Sequence, residues 1–296
     1  PDFAPPSADN TVFGLPGVEL FPADGGRWEG EYDAFTSPGT YTIALYARDR
    51  LGNTSLPAIT SVTVDNPLHR RAVLIAGGPD TDALWPAIER SATFAYEALK
   101  VQGYADEDIY FLSPVTTSTG VDGTAVLSNV EYGLTTWACA DARDAAVYLV
   151  GSGTGGGIRL NATETLTASG LAGWLASLES CLPGTLTVIC DADEAGAFVT
   201  ALQSPKSGKR ILIASAAADE TAAFLYEGTI SFSAFFWQNV LNGGTVGSAY
   251  GYAKLAMAFA TGAQTAQIDD NNNAVPNERD DGLIAQYYRL GTGVML

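Results

Sequence analysis

Residues 186–196 read Leu-Thr-Val-Ile-Cys-Asp-Ala-Asp-Glu-Ala-Gly, and the fold is predicted outward from this stretch. Its first five residues are apolar or β-branched, which is typical of a strand buried on both faces of a parallel sheet. Three acids follow within four residues, at the start of a helical pattern over about 194–203. Carboxylates there can cap free N–H groups and lie favourably in the helix dipole. The stretch therefore predicts a buried strand that turns directly into a helix.

The same alternation of strand and helix runs from residue 70 to the end of the chain. Further buried strands are predicted at Ala72–Ala76, Ile109–Leu112, Ala145–Val150 and Ile211–Ala214. Further helices are predicted at about 85–101, 128–141, 168–180, 231–241 and 246–261. Strands that alternate with helices indicate a mainly parallel sheet with helices on both faces. We expect an α/β domain over residues 70–296, with any ligand beyond the carboxyl ends of its strands.

Residues 1–66 have a different pattern. Turn signals separate short aromatic and β-branched runs at Trp28–Phe35, Thr40–Ala47 and Ile59–Val64. These runs predict a small antiparallel β segment. Three or four strands are too few for a complete sandwich, so the segment is either a partial immunoglobulin-like domain or a β-annex of the main domain. Residues 39–53 resemble the last hairpin of bacterial extracellular immunoglobulin-like repeats.

The charge and the apolar runs exclude several partners. The 296-residue chain has 33 acidic and 15 basic side chains, a formal net charge of -18, which repels nucleic acids and anionic lipids. No apolar run approaches the roughly 20 residues of a membrane helix, so we expect no membrane span. The acidic, lysine-poor composition favours an extracellular or cell-surface location, with the periplasm as an alternative. The first residue is not Met, and we expect a segment of a longer protein.

Three cysteines, Cys139, Cys181 and Cys190, have no spacing typical of a metal site. Cys190 ends a buried strand and is predicted to be an inert thiol. Cys139 and Cys181 each lie near the end of a predicted helix that precedes a strand. Whether they are bridged stays open, and a bridge would stabilise the fold by roughly 3 to 4 kcal/mol.

A glycine-rich turn, Gly-Ser-Gly-Thr-Gly-Gly-Gly at residues 151–157, follows the third strand of the sheet. It matches the GxGxxG spacing of dinucleotide sites, but such a site needs a helix directly after the glycines. Residues 158–160 instead predict a short strand. We therefore expect a permissive turn in which backbone segments approach closely, and no nucleotide.

An acidic loop at residues 269–282 has the oxygen spacing of a calcium loop. Positions one, three, five, seven and twelve of that loop are Asp269, Asn271, Asn273, Val275 (by its carbonyl) and Asp280. Position six is Ala274, where a calcium loop needs glycine. Two interpretations stay open: a structural calcium site, or a polar loop built from Asx turns. No other cofactor is expected.

Several stretches between residues 71 and 291 share one order and spacing with a known family. They are residues 71–78, 95–100, 107–113, 148–151, 231–237, 268–278 and 281–282. Together they resemble the bacterial branch of the legumain-type cysteine peptidases, which implies a caspase-like three-layer sandwich. In that family a Gly-His-Gly turn after the third strand supplies the general base. An Asp-Ala-Cys-x-Ser-Gly turn after the fourth strand supplies the nucleophile.

This chain departs from the family at both turns. Ser152 stands at the position of the histidine, and Asp193 at that of the cysteine. A hydroxyl cannot replace an imidazole base at neutral pH, and a carboxylate attacks amides poorly. Losing both groups costs about 10⁶ in rate. The single histidine, His69, is expected in a linker before the first strand, so we expect no catalytic residue: the resemblance implies a pseudopeptidase.

Three functions are compatible with the sequence. The first is a non-catalytic structural or interaction module of a larger extracellular bacterial protein or assembly, with protein partners or self-assembly. The second is an active legumain-like cysteine endopeptidase whose turns are misassigned, or an inactivated variant of one. The third is a module that binds a cation or a basic ligand in the vacated cleft, at Gly151, Gly153, Asp191 and Glu194, where Asp191, Asp193 and Ser152 offer oxygen ligands.

Overall fold

The computed structural model describes residues 17–30, 32, 35, 39–64, 68–204 and 210–294. The chain divides into two compact units, Pro1–Leu68 and His69–Leu296. The candidate site lies in the second unit.

The described residues of the first unit form two antiparallel strand pairs. Its strands are β1 (Phe21–Ala23), β2 (Arg27–Glu29), β3 (Gly39–Leu45) and β4 (Ala58–Val64). β1 pairs with β2 and β3 with β4, which confirms the prediction of small antiparallel sheets. The predicted strand at Trp28–Phe35 stops at Glu29, and residues 31 and 33–34 lie outside the described part. The immunoglobulin-like interpretation stays a prediction.

The second unit is built on a six-stranded sheet. The described strands of this unit, in the main sheet and in a smaller one, are β5 (His69–Gly77), β6 (Ile109–Leu112), β7 (Ala142–Gly151), β8 (Gly153–Thr154), β9 (Gly157–Arg159), β10 (Thr165–Thr167), β11 (Leu186–Asp191), β12 (Arg210–Ala214) and β13 (Gln267–Asp269). The sheet order is β6-β5-β7-β11-β12-β13, parallel except for β13. β8, β9 and β10 form a small antiparallel sheet after β7.

Helices cover both faces of the sheet. They are α1 (Trp85–Val101), α2 (Leu127–Tyr132), α3 (Ala168–Cys181), α4 (Gly196–Ala201), α5 (Phe232–Leu241) and α6 (Val246–Thr261). Leu74 faces the core that holds α1, α5 and α6, whereas Val73 and Ile75 face the core that holds α2, α3 and α4. Alternate residues of each strand therefore enter two separate cores. The predicted α/β class, a mainly parallel sheet between helical layers, is confirmed.

The sequence missed one strand of the six-stranded sheet and overextended one helix. β13 was not predicted, because three residues carry no measurable periodicity. The helix expected over 128–141 is α2 followed by a π-helical turn at Gly133–Trp137. A Cβ at Gly133 would lie 2.8 Å from the Tyr110 ring, so this turn packs close to β6. Among the described residues, no helix has the length and apolar character to cross a membrane.

The cysteines divide into a bonded pair and a free thiol. Cys139 and Cys181 form a disulfide that spans 42 residues of sequence, which settles the open pairing. The bridge joins the segment before β7 to the end of α3. Cys190 is free and buried, as predicted.

Candidate functional site

The turns that follow β7 and β11 touch each other. Val150 pairs with Asp191 in the parallel register, so residues 152–153 and 192–194 leave neighbouring strands at one edge of the sheet. A Cβ placed on Gly153 would lie 2.1 Å from the carbonyl oxygen of Asp193. Only glycine allows this approach. The fold thus brings together the turns that carry Ser152 and Asp193.

Asp193 binds a loop rather than a helix end. Its Oδ1 accepts a hydrogen bond from the backbone N–H of Ala222, with N and O 2.8 Å apart. The N-cap of α4 is Ala195, which makes no side-chain cap, so the predicted capping by Asp191 or Asp193 is wrong. Glu194 is exposed, has φ of 56°, and its N–H donates to the carbonyl oxygen of Glu220 at 2.8 Å. The turn after β11 is therefore held by the loop after β12.

Asp191 belongs to a buried polar chain. Its side chain is 1% exposed, and its Oδ2 accepts hydrogen bonds from the backbone N–H of Ser233, at 3.0 Å, and from the Ser233 hydroxyl. The Ser233 hydroxyl also lies 2.5 Å from the hydroxyl of Tyr148, on β7. Burial raises the pKa of Asp191, and the bonds from Ser233 oppose that rise. Sequence reasoning missed Tyr148 and Ser233, although a tyrosine inside an apolar strand was a usable signal.

Cys190 faces the other side of the sheet. It packs in the core beneath α3 and α4 and is 1% exposed. Burial, and then the charge of Asp191, raise the pKa of the Cys190 thiol far above its ordinary value. A buried thiol with a raised pKa is neither a nucleophile nor a metal ligand at neutral pH.

His69 lies at the opposite end of the sheet from these turns. It is the first residue of β5 rather than part of a linker, because it pairs with Ala142 at the start of β7. Its Nδ1 is 3.0 Å from Oδ1 of Asp108. Ser152 follows the other end of β7, and at about 3.3 Å per residue the two ends are roughly 30 Å apart.

Ser152 has a buried hydroxyl in the turn after β7, one of the two turns in contact (residues 152–153 and 192–194, the paired turns). Its Oγ has no hydrogen-bond partner among the described residues. Its carbonyl oxygen accepts from the N–H of Arg159 at 3.1 Å, which ties the glycine-rich turn to β9. A Cβ on Gly151 would lie 2.7 Å from the carbonyl oxygen of Gly77, so backbone fills the space there.

The acidic loop directs its oxygens toward its own backbone. Asp269 accepts from the N–H groups of Asn272 and Ala274, at 2.7 and 2.9 Å. Asn271 and Asn273 accept from the N–H groups two residues further on, at 3.0 and 2.8 Å, as in Asx turns. Asp280 is exposed. Within the described ranges, no cluster of three or more His, Cys, Asp or Glu side chains is placed to hold a metal ion. The calcium site stays a prediction.

Comparisons with known proteins were made at the levels of sequence and structure. No protein-family model matches the chain, and no curated protein matches it. Among solved structures, the chain is similar to caspase-1 from Spodoptera frugiperda, with 9% identity and a TM-score of 0.46. The similarity covers 70% of this chain and 88% of that one. The α/β class rests on the sheet order and register given above.

Proposed function

We propose that the chain is a non-catalytic, caspase-like domain of the legumain-type lineage, which acts as a structural or interaction module of a larger extracellular bacterial protein. One observation carries the proposal: the turns after β7 and β11 are in contact, and they present Ser152 and Asp193. Amide hydrolysis at such a site needs a nucleophile and a base within hydrogen-bond reach of each other. The Ser152 hydroxyl has no hydrogen-bond partner among the described residues and the Asp193 carboxylate is bonded to Ala222, so neither group activates the other.

The remaining candidates for peptidase chemistry lie elsewhere. Cys190 is enclosed in the core on one side of the sheet, and His69 is at the far end of β5. A thiolate forms when a cation such as His⁺ lowers the thiol pKa, and the surroundings of Cys190 do the opposite. Cys190 therefore has no imidazole partner of the kind that returns a proton to the leaving amine in a cysteine peptidase.

An extracellular or cell-surface setting fits the covalent chemistry of the domain. A disulfide joins Cys139 and Cys181, and disulfides persist in oxidising compartments. The net charge of -18 opposes binding to nucleic acids and anionic membranes. The domain therefore works through protein partners or through copies of itself.

A peptidase assay with restored variants tests the proposal. The chain, a Ser152→His/Asp193→Cys double variant and a Cys190→Ser variant are incubated with denatured casein and with fluorogenic peptides that contain Asn or Asp. Each is measured with and without a thiol-alkylating reagent. We expect no alkylation-sensitive turnover by the natural sequence. Alkylation-sensitive turnover that is lost in Cys190→Ser would overturn the proposal, whereas turnover unaffected by that substitution would indicate a contaminating peptidase.

A second candidate function is binding of a cation or basic ligand at the paired turns. The observation that favours it is the unpartnered Ser152 hydroxyl beside the Asp193 turn, with Glu194 exposed next to it. Melting temperatures with calcium chloride, and separately with an oligolysine peptide, test this candidate. A rise that disappears in Asp193→Asn would support it. An unchanged melting temperature with both probes would reject it.

A further inference from the structure

α6 carries an apolar stripe on its outer face. Tyr252, Leu255 and Phe259 are 47%, 72% and 97% exposed. They are spaced three and then four residues apart, so they lie along one side of the helix. The opposite side is buried in the core through Ala253 and Met257. A helix that is apolar on both sides normally has a partner on each of them.

The stripe lies in an almost uncharged part of a strongly acidic chain. Lys254 is the one charged residue between Val246 and Thr261, and α5, which packs beside α6, has none. Nζ of Lys254 lies 5.4 Å from the ring centroid of Tyr250, so this charge has a partner on its own helix. Two copies that each carry a net charge of -18 repel each other elsewhere. At α6 they can approach without bringing acids together.

We propose that α6 packs against α6 of a second copy, antiparallel, about a two-fold axis near residues 255–256. A two-fold interface must be complementary to itself. In the antiparallel arrangement the spacing of the stripe places Tyr252 of each copy opposite Phe259 of the other, with both Leu255 side chains near the axis. Aromatic pairs of this kind add about 0.5–1.5 kcal/mol each beyond the area they bury. The stripe thus satisfies the symmetry that a second copy requires.

The area of the stripe indicates a weak dimer. An aromatic side chain buries about 150–250 Å², so the exposed fractions of Tyr252 and Phe259, together with Leu255, amount to roughly 400 Å² per copy. Tyr252 also packs edge-on against Phe235, with ring centroids 5.9 Å apart, at a groove of about 870 Å³ between α1 and α5. Glu89 and Glu97 line this groove, so it is not part of the uncharged surface, and the stripe alone gives roughly 800 Å² over both copies, below the ~1,200 Å² of stable interfaces. The association is therefore transient and depends on concentration.

The inference rests on the proposed function in one respect: it names a partner for the interaction module. The proposed function and the dimer are tested by different measurements. Peptidase turnover tests the role of the paired turns, and self-association tests the role of α6. A monomeric chain without turnover would refute only the dimer. A dimeric chain with alkylation-sensitive turnover would refute only the pseudopeptidase.

Sedimentation of the full chain over a concentration series tests the dimer. From about 5 to about 500 µM, we expect the natural sequence to shift from monomer to dimer. Phe259→Glu should weaken the dimer at least about 30-fold, the loss typical of a central interface residue. Tyr132→Glu is the matched control, because Tyr132 is 49% exposed on α2, across the sheet from α6. Circular dichroism checks that both variants are folded.

Cross-linking tests the antiparallel geometry. Cys139 and Cys181 are bonded and Cys190 is buried, so an introduced surface cysteine is the accessible thiol of each variant. Under mild oxidation, Leu255→Cys should cross-link to itself. A mixture of Tyr252→Cys and Phe259→Cys should form the mixed dimer faster than either variant pairs with itself. The proposal is overturned if the natural sequence stays monomeric at the highest concentration, if Phe259→Glu associates equally well, or if Tyr252→Cys pairs preferentially with itself.

Discussion

Substitution of Gly153 by alanine measures directly the contact on which the candidate site depends. The added methyl group would lie 2.1 Å from the carbonyl oxygen of Asp193 and 2.9 Å from its Cβ. The closest atom belongs to the backbone, so a change of side-chain rotamer cannot relieve the overlap. Gly153 is not among the glycines with positive φ, so its backbone conformation adds no strain of its own. Overpacking of this kind costs about 1–3 kcal/mol, and we expect the upper end of that range because Ala222 holds Asp193 in place.

The matched control is the same substitution in α3. A Cβ on Gly173 meets no atom within 4 Å, and this glycine lies inside a regular helix. Replacing glycine by alanine there should stabilise the protein by about 0.5–1 kcal/mol, because alanine loses less backbone entropy on folding. The two variants make one chemical change and are predicted to differ in sign.

Thermal unfolding distinguishes these outcomes. For a unit of this size, each kcal/mol shifts the Tm by about 2–4 °C, so Gly153→Ala should lower the Tm by about 6–12 °C and Gly173→Ala should raise it slightly. Calorimetry on the full chain, followed at several scan rates, provides the measurement. A Gly153→Ala variant that melts within about 1 °C of the natural sequence would show that the two turns are not in contact, and the description of the site would be wrong.

Three further predictions concern the same unit. Reduction of the Cys139–Cys181 disulfide, which closes a loop of 42 residues, should cost about 4 kcal/mol; an unchanged calorimetric Tm with reductant would contradict this. Cys190 should resist a thiol reagent in the native chain and react as a single thiol in denaturant, so rapid native reaction would refute its burial. Burial chiefly raises the pKa of Asp281 to about 6, so its ionisation destabilises the fold as pH rises through roughly 4 to 6. Asp281→Asn should therefore raise the Tm at about pH 7.5 more than at about pH 4.5, and an equal shift at both would reject the assignment.

The spacing of apolar residues along the sequence predicted much of the fold. The strand at Ile109–Leu112 and the helices at 85–101 and 246–261 have the predicted bounds, because a strand buried on both faces and a long helix each repeat their signal over several residues. The positions of the two turns follow from the same reasoning, since parallel strands end at one edge of a sheet. β13 carried too few residues for such a signal.

The amino-acid sequence by itself determined which residues form strands and helices, and which residue types stand in the two turns. Only the tertiary structure decided what those residues bind. Asp193 meets an amide 29 residues away, Asp191 a serine 42 residues away, and that serine a tyrosine 85 residues away. Spacing along the chain carries no information about such partners, because they meet only when the sheet and its helices have packed. For this reason a carboxylate that looked like a helix cap joins two loops instead.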